Sequence, residues 1–184
     1  MLIDNVHGDE VKLSYKEVNE KIIIAAAAMQ KLGVVPGDCV SIFAENSHRW
    51  FIVEQSIMKA GGCNAVRGAL APVEELNYIF DNSKSVGIVV ESDALLKQLC
   101  LSESKAPQIK NAKFAIVLFP QDSSGEDVAK SLESPVALKV LTFEVLLQSA
   151  TASEYKNVVR DGSSTATLVY TSGTTSKPKG AGQH

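Results

Sequence analysis

The sequence has no excess of positive charge. Its 18 Lys and Arg are outnumbered by 21 Asp and Glu, for a net charge of -3 and a pI near 5.6. A chain built to neutralise nucleic-acid phosphates is therefore not expected, although one compact anion site remains compatible with this balance. Long apolar runs are also missing. The longest, Ile22 to Met29, is far short of the roughly 20 residues a membrane-spanning helix needs, so no transmembrane segment is expected. The opening Met1-Leu2-Ile3-Asp4-Asn5 has no basic segment, apolar core or small-residue cleavage site, and no Arg- and Ser-rich transit stretch follows it, so no targeting signal is legible. Cysteine is scarce. Cys39, Cys63 and Cys100 form an odd set without CxxC spacing, which fits a reducing compartment and three small apolar side chains in a core. His7, His48 and His184 have no neighbours at metal-ligand spacing, so no metal ligand and no catalytic role is assigned to them. Neither the phosphate-loop pattern GxxxxGK[ST] nor the dinucleotide pattern GxGxxG occurs, and no internal repeat is present.

What the sequence does contain is regular alternation. Its 184 residues suffice for one sizeable core, as one domain or a piece of one. A hydrophobic share of 45% and a charged share of 21% favour a folded chain over a disordered one. From Leu13 to Tyr170, short β-branched runs alternate with amphipathic stretches, the signature of βαβ units and a largely parallel sheet. Ser14 with Glu17 reads as a capping box opening a helix to Leu32, closed by Gly33, with Pro36 beyond. Cys39 to Ala44 reads as a buried strand, His48 to Ala60 as a helix with Trp50 in the core, and Cys63 to Arg67 as an extended piece. A helix from Ala71-Pro72 to Asn82 has Glu74 and Glu75 in its dipole-favoured first turn. Val86 to Val90 and Phe114 to Phe119 read as strands, and Asp93 to Leu101 as a helix begun by Ser92. Gln121 to Gly125 reads as a polar loop, Val136 to Leu141 as a strand and Thr142 to Ala150 as a helix. Ser149 to Thr165 connects to a last strand, Ala166 to Tyr170.

That last strand runs into Tyr170-Thr171-Ser172-Gly173-Thr174-Thr175-Ser176-Lys177-Pro178-Lys179-Gly180. Hydroxyls, glycines and two lysines concentrated after a strand suit a polyphosphate. Gly173 and Gly180 allow close backbone approach or positive φ, so that successive amides could converge as a nest. Hydroxyls would add donors, and lysines charge-assisted hydrogen bonds. The alternative for such a terminal run is a flexible polar tail.

The eleven residues resemble the signature loop of the adenylate-forming, or AMP-binding, superfamily, close to YTSGTTGxPKG, with Ser176 where the family has glycine. The resemblance extends upstream. Lys12 to Val18 resembles the family's LTYxEL opening, Gly37-Asp38-Cys39-Val40-Ser41-Ile42 its GDxVai strand, and Glu45-Asn46-Ser47 the turn that follows. Arg49-Trp50, Asn64-Ala65-Val66-Arg67-Gly68 and Val73-Glu74-Glu75-Leu76 look most like acyl-acyl carrier protein synthetases of plastids and cyanobacteria, relatives of long-chain acyl-CoA synthetases. Without the resemblance, Arg67-Gly68 reads as a surface turn with a solvated charge.

The resemblance implies an α/β fold: a partial amino-terminal domain of an adenylate-forming enzyme, spanning 1–184 and ending just after a phosphate-binding loop at 171–180. It implies a ligase of fatty acid metabolism in which a carboxylate attacks the α-phosphate of ATP, with Mg2+ present, and a thiol of acyl carrier protein or coenzyme A then takes the acyl group. Thr171, Ser172, Gly173, Thr174, Thr175 and Lys179 would hold the β- and γ-phosphates, whereas Lys177 sits at a variable position. Ser176 is expected to strain the loop by about 1–3 kcal/mol if positive φ is needed there. The family's adenine pocket, acidic metal ligand, ribose-binding aspartate and mobile-domain lysine all follow this loop, and Ala181-Gly182-Gln183-His184 departs from the family's apolar continuation. The chain alone is thus expected to lack turnover; no catalytic residue is assigned within it. The alternative is a non-catalytic chain that binds phosphate weakly or pairs an exposed sheet edge with another chain. A plastid location is what the closest resemblance implies; a cytoplasmic one is the alternative.

Overall fold

The structure, a computed structural model, describes residues 1–5, 7–8, 10–101, 109, 112–121, 138–173 and 176–183. Strands β1 (Leu2–Asp4) and β2 (Val11–Leu13) pair antiparallel, Leu2 opposite Leu13. Helix α1 (Tyr15–Lys31) begins at the expected box: the Glu17 N–H donates to the Ser14 hydroxyl, and the Ser14 N–H donates to the Glu17 carboxylate at 2.7 Å. Past its end, Gly33 takes φ +86°, a conformation that glycine adopts without penalty. The chain then runs β3 (Cys39–Phe43), α2 (His48–Lys59), β4 (Cys63–Arg67), α3 (Val73–Asn82), β5 (Gly87–Val90), α4 (Asp93–Leu101), β6 (Phe114–Val117), β7 (Lys139–Thr142), α5 (Phe143–Gln148), β8 (Thr167–Gly173) and β9 (Ser176–Gln183). A 3₁₀ turn at Ala152–Glu154 interrupts the connection to β8.

Seven strands form one sheet in the order β7-β6-β5-β3-β4-β8-β9, every pair parallel except β8 with β9. Strand residues alternate between two cores, as the pleat requires. Val40, Ile42, Val89, Phe114 and Ile116 pack with α1, α2 and α5; Phe43, Ala65, Ile88, Val90 and Val117 pack with α3 and α4. Strands buried on both faces read as continuous apolar runs, which explains why these segments were legible. Gly87 lies in register with Phe114, and a Cβ there would fall 2.3 Å from the phenyl ring, so this parallel pair closes only on glycine.

Three expectations need correction. The chain opens with an antiparallel ribbon that the sequence pattern did not reveal, because three-residue strands are too short for periodicity to register. The last strand continues past Tyr170 to Gly173, and Ser176–Gln183 returns beside it as β9. The outer side of β8 is therefore covered by the chain's own strand, and β9 becomes the edge. Pro178 suits that place, since a residue without an N–H belongs at a sheet edge. Trp50 is partly rather than fully buried, and its indole Nε1 has no hydrogen-bond partner among the described residues. Residues 122–125 of the expected polar loop, and Val136 and Ala137 of the expected strand, lie outside the described residues.

Candidate functional site

In a doubly wound sheet, side chains that follow the strand C-termini surround the crevice where ligands bind, at the point where successive connections leave to opposite faces. Here that point lies between β3, which leads into α2 on one face, and β5, which leads into α4 on the other. A cleft of about 770 Å³ opens there, lined among others by His7, Glu45, Arg49, Leu70, Glu91 and Phe119.

Its walls are tied together by carboxylates. The Glu91 carboxylate accepts the backbone N–H of Glu45 at 3.1 Å and contacts His7 Nε2 at 2.7 Å. Glu45 in turn accepts the N–H of Ala69 at 3.0 Å, and Gly68 passes so close that a Cβ would sit 2.8 Å from the Glu45 Oε1. The ring of Phe119 stacks on His7, centroids 3.9 Å apart, and carries the Arg49 guanidinium 4.7 Å from its own centroid. Arg49 is further held by Glu144 at 2.6 Å and donates to the carbonyl of Leu118. His48 fastens the opening ribbon to the start of α2: its Nδ1 lies 2.6 Å from the Asp4 carboxylate, which also accepts the His48 N–H at 2.7 Å. Arg67, which reads as a solvated charge without the resemblance, is partly buried and pairs with Glu75 at 2.7 Å.

The hydroxyl- and glycine-rich run leaves the same end of the sheet. Parallel pairing of Asn64 with Thr167 through Val66 with Val169 sets Thr171 beyond the level of Arg67, on the cleft's end of the molecule. The run does not form a nest in the described residues. It lies in the β8–β9 hairpin, with Tyr170 opposite Gly180, Thr171 opposite Lys179 and a bulge before the Gly173–Ser176 pair. Gly180 serves close approach rather than positive φ: a Cβ there would stand 2.9 Å from the Tyr170 ring, which covers the glycine backbone. Ser176 opens an extended strand, so the strain expected from a left-handed backbone does not arise. Tyr170 is buried, donates to the Asn82 side chain at 2.8 Å, and has its phenol pushed up by that burial.

Among the expected site residues, Thr171 and Lys179 are brought together as exposed cross-strand neighbours, and Ser172 and Gly173 lie in β8. Thr174 and Thr175 lie outside the described residues. Sequence reasoning missed the cleft. The available signal was an acidic residue following each of two buried strands, Glu45 after β3 and Glu91 after β5.

A family model described as AMP-binding enzyme matches residues 2–182. A chloroplastic long-chain-fatty-acid–[acyl-carrier-protein] ligase of Arabidopsis thaliana is 35% identical, over 97% of this chain and 25% of its own length. A long-chain-fatty-acid–CoA ligase of Xenopus laevis is 29% identical, over 92% of this chain and 22% of its own. The chain thus spans about a quarter of the length of the curated relatives it matches. Among solved structures, the adenylation domain of a Mycobacterium chelonae carboxylate reductase superposes with a TM-score of 0.77 at 18% identity, covering 99% of this chain and 30% of that one. An anthranilate CoA ligase in complex with anthranoyl-AMP gives 0.74 at 20% identity, covering 94% and 30%. These two likenesses concern the fold.

Proposed function

The chain belongs to the AMP-binding enzyme family, and on that premise we propose that it is the amino-terminal part of an AMP-binding domain. In this proposal the whole enzyme activates a long-chain fatty acid with ATP and passes the acyl group to the thiol of acyl carrier protein or coenzyme A. The relatives named for fatty acid ligation support the acid and the two acceptors, and the chloroplastic one supports a plastid location.

The observation that carries the reading is the position of the hydroxyl- and lysine-bearing hairpin at the C-terminal end of the parallel strands, the same end of the sheet at which the cleft opens. Thr171 and Lys179 face the same way because they are directly opposed. A hydroxyl donor and an ammonium side by side fit the oxygens of a polyphosphate. Ser172, Gly173, Thr174 and Thr175 would complete the grip by resemblance. ATP, when bound, supplies the α-phosphorus that a carboxylate attacks and pyrophosphate as leaving group. The role of this chain's residues is to position the triphosphate and offset charge on its oxygens. Among the described residues no group of three His, Cys, Asp or Glu converges for a metal. Magnesium, when bound with ATP, would supply positive charge that offsets the phosphate oxygens.

On its own, the 184-residue chain is proposed to bind ATP–Mg2+ without turnover, because it matches only a quarter of the relatives' length. Incubation with a long-chain fatty acid, ATP and Mg2+ should release no pyrophosphate above background. Equilibrium dialysis should show ATP binding that Lys179→Ala weakens about tenfold, as expected for a lost charge-assisted hydrogen bond. Pyrophosphate release abolished by Lys179→Ala would overturn the inactive reading. Affinity unchanged by Lys179→Ala would overturn the phosphate role. A non-catalytic partner role is the second reading, favoured by the eight-residue edge strand β9; concentration-dependent dimerisation in sedimentation would support it.

A further inference from the structure

At the end of the sheet away from the cleft, two cysteines that no part of the proposed function uses meet side by side. Cys39 opens β3 and Cys63 opens β4, in register as a parallel pair. Neighbouring strands lie about 4.8 Å apart, inside the roughly 4.4–6.8 Å Cα separation that a disulfide spans. Both side chains point to the same face and belong to the same core. The two thiols are hydrogen-bonded to one another, with the Sγ atoms 2.7 Å apart.

The pair is buried but not sealed. A second cleft of about 410 Å³ reaches both cysteines, walled by Gly37, Gly61, Ser83, Arg160 and Thr165 among others. Arg160 is fixed there, one guanidinium nitrogen donating to the Gly62 carbonyl at 2.8 Å and the other to the carbonyl of Thr165. The two thiols are therefore unequal. The hydrogen bond with Cys39 does most to hold the Cys63 thiol below its ordinary range; burial opposes it, and the Arg160 charge adds to the lowering. The same bond and burial push the Cys39 thiol up. A thiolate beside a cation at the floor of an accessible pocket is the reactive form of cysteine.

We propose that Cys39 and Cys63 form a redox-active dithiol site that hydrogen peroxide, entering through this second cleft, converts to a disulfide bridging β3 and β4. The Cys63 thiolate attacks one peroxide oxygen, the O–O bond breaks, and Cys63 becomes a sulfenic acid as the departing hydroxide takes a proton to leave as water. The Cys39 sulfur then attacks the Cys63 sulfur, the S–O bond breaks, and the hydroxyl leaves as a second water with the Cys39 proton. Two thiols lose two electrons and two protons, and the peroxide is reduced to two waters. A dithiol reductant reverses the bridge by exchange.

The test uses the whole chain, folded, with hydrogen peroxide as the probe, quenched with catalase, then unfolded and alkylated. Intact mass should show three alkylatable thiols before treatment and one after, restored to three by dithiothreitol. Tryptic peptides Leu32–Arg49 and Ala60–Arg67 should be recovered joined. Retention of all three thiols, oxidation of single cysteines to sulfinic acid without a joined peptide, or a bridge involving Cys100 would each overturn the proposal. In Cys39→Ser, dimedone should trap a sulfenic acid on Cys63, whereas Cys63→Ser should give no adduct on Cys39; the reverse pattern would overturn the assignment of Cys63 as attacking sulfur. Should either variant fail to fold, the peptide map of the unsubstituted chain still decides the matter.

Discussion

Glu54 shows how one side chain sets a pH dependence. It lies on α2, 8% exposed, and burial pushes its carboxyl above the ordinary glutamate value of 4.5 while a hydrogen bond from Gln55 partly opposes. A carboxyl raised on folding stabilises the fold only while protonated, so its contribution is complete below 4.5 and is lost as pH rises through the folded value. Glu54→Gln should therefore unfold at a higher urea concentration than the unsubstituted chain at pH 7. The gap should close below pH 4.5, and a gap independent of pH would remove ionisation as its cause. At Gly87 the constraint is steric. Gly87→Ala puts a methyl into the Phe114 ring, which is fully buried and cannot move aside, and should cost about 1–3 kcal/mol in denaturant unfolding. Neither position was legible in the sequence, because each depends on what stands on the neighbouring strand or helix.

The elements were more legible than their residues. Capping chemistry is local, so Ser14 with Glu17 and Ser92 before α4 announced helix starts that the structure places within a residue or two. Ser47, whose hydroxyl accepts the Trp50 N–H at 3.0 Å, is the same device at α2. Ser47→Ala should cost about 1 kcal/mol, read as a lower urea midpoint, and Ser47→Asp should retain the stability. The final hairpin was misjudged because pairing partners are not written in local pattern. Leu168, Val169 and Tyr170 announce a strand, but the return of Ser176–Gln183 depends on Gly180 lying beneath the Tyr170 ring. Gly180→Val should therefore unzip β9 from β8 and lift amide protection from Thr167 to Thr171, with β3 to β6 unaffected. Protection unchanged in that variant would mean that the ring and glycine do not hold the hairpin.

Across the whole molecule, the sheet separates two chemistries at its two ends. The cleft, its Glu45 and Glu91 ties and the hydroxyl-bearing hairpin lie at the C-terminal ends of the strands, while the dithiol pair lies where β3 and β4 begin. The α/β class and the parallel sheet could be read from alternating apolar runs, since burial on both faces leaves an unbroken hydrophobic signature. Strand order could not, and the cleft follows from strand order: Glu45 and Glu91 meet only because β5 lies beside β3 rather than beside β4. The run proposed to grip phosphate is legible from its composition and its resemblance, and its extended, paired backbone only from the structure. The most direct measurement is an amide NMR titration of the chain with ATP–Mg2+. The expected result is saturable shifts of Thr171 to Gly173 and of Lys179, absent when adenosine replaces ATP. Shifts confined to other segments, or no shifts at all, would contradict the central claim that this hairpin grips a triphosphate.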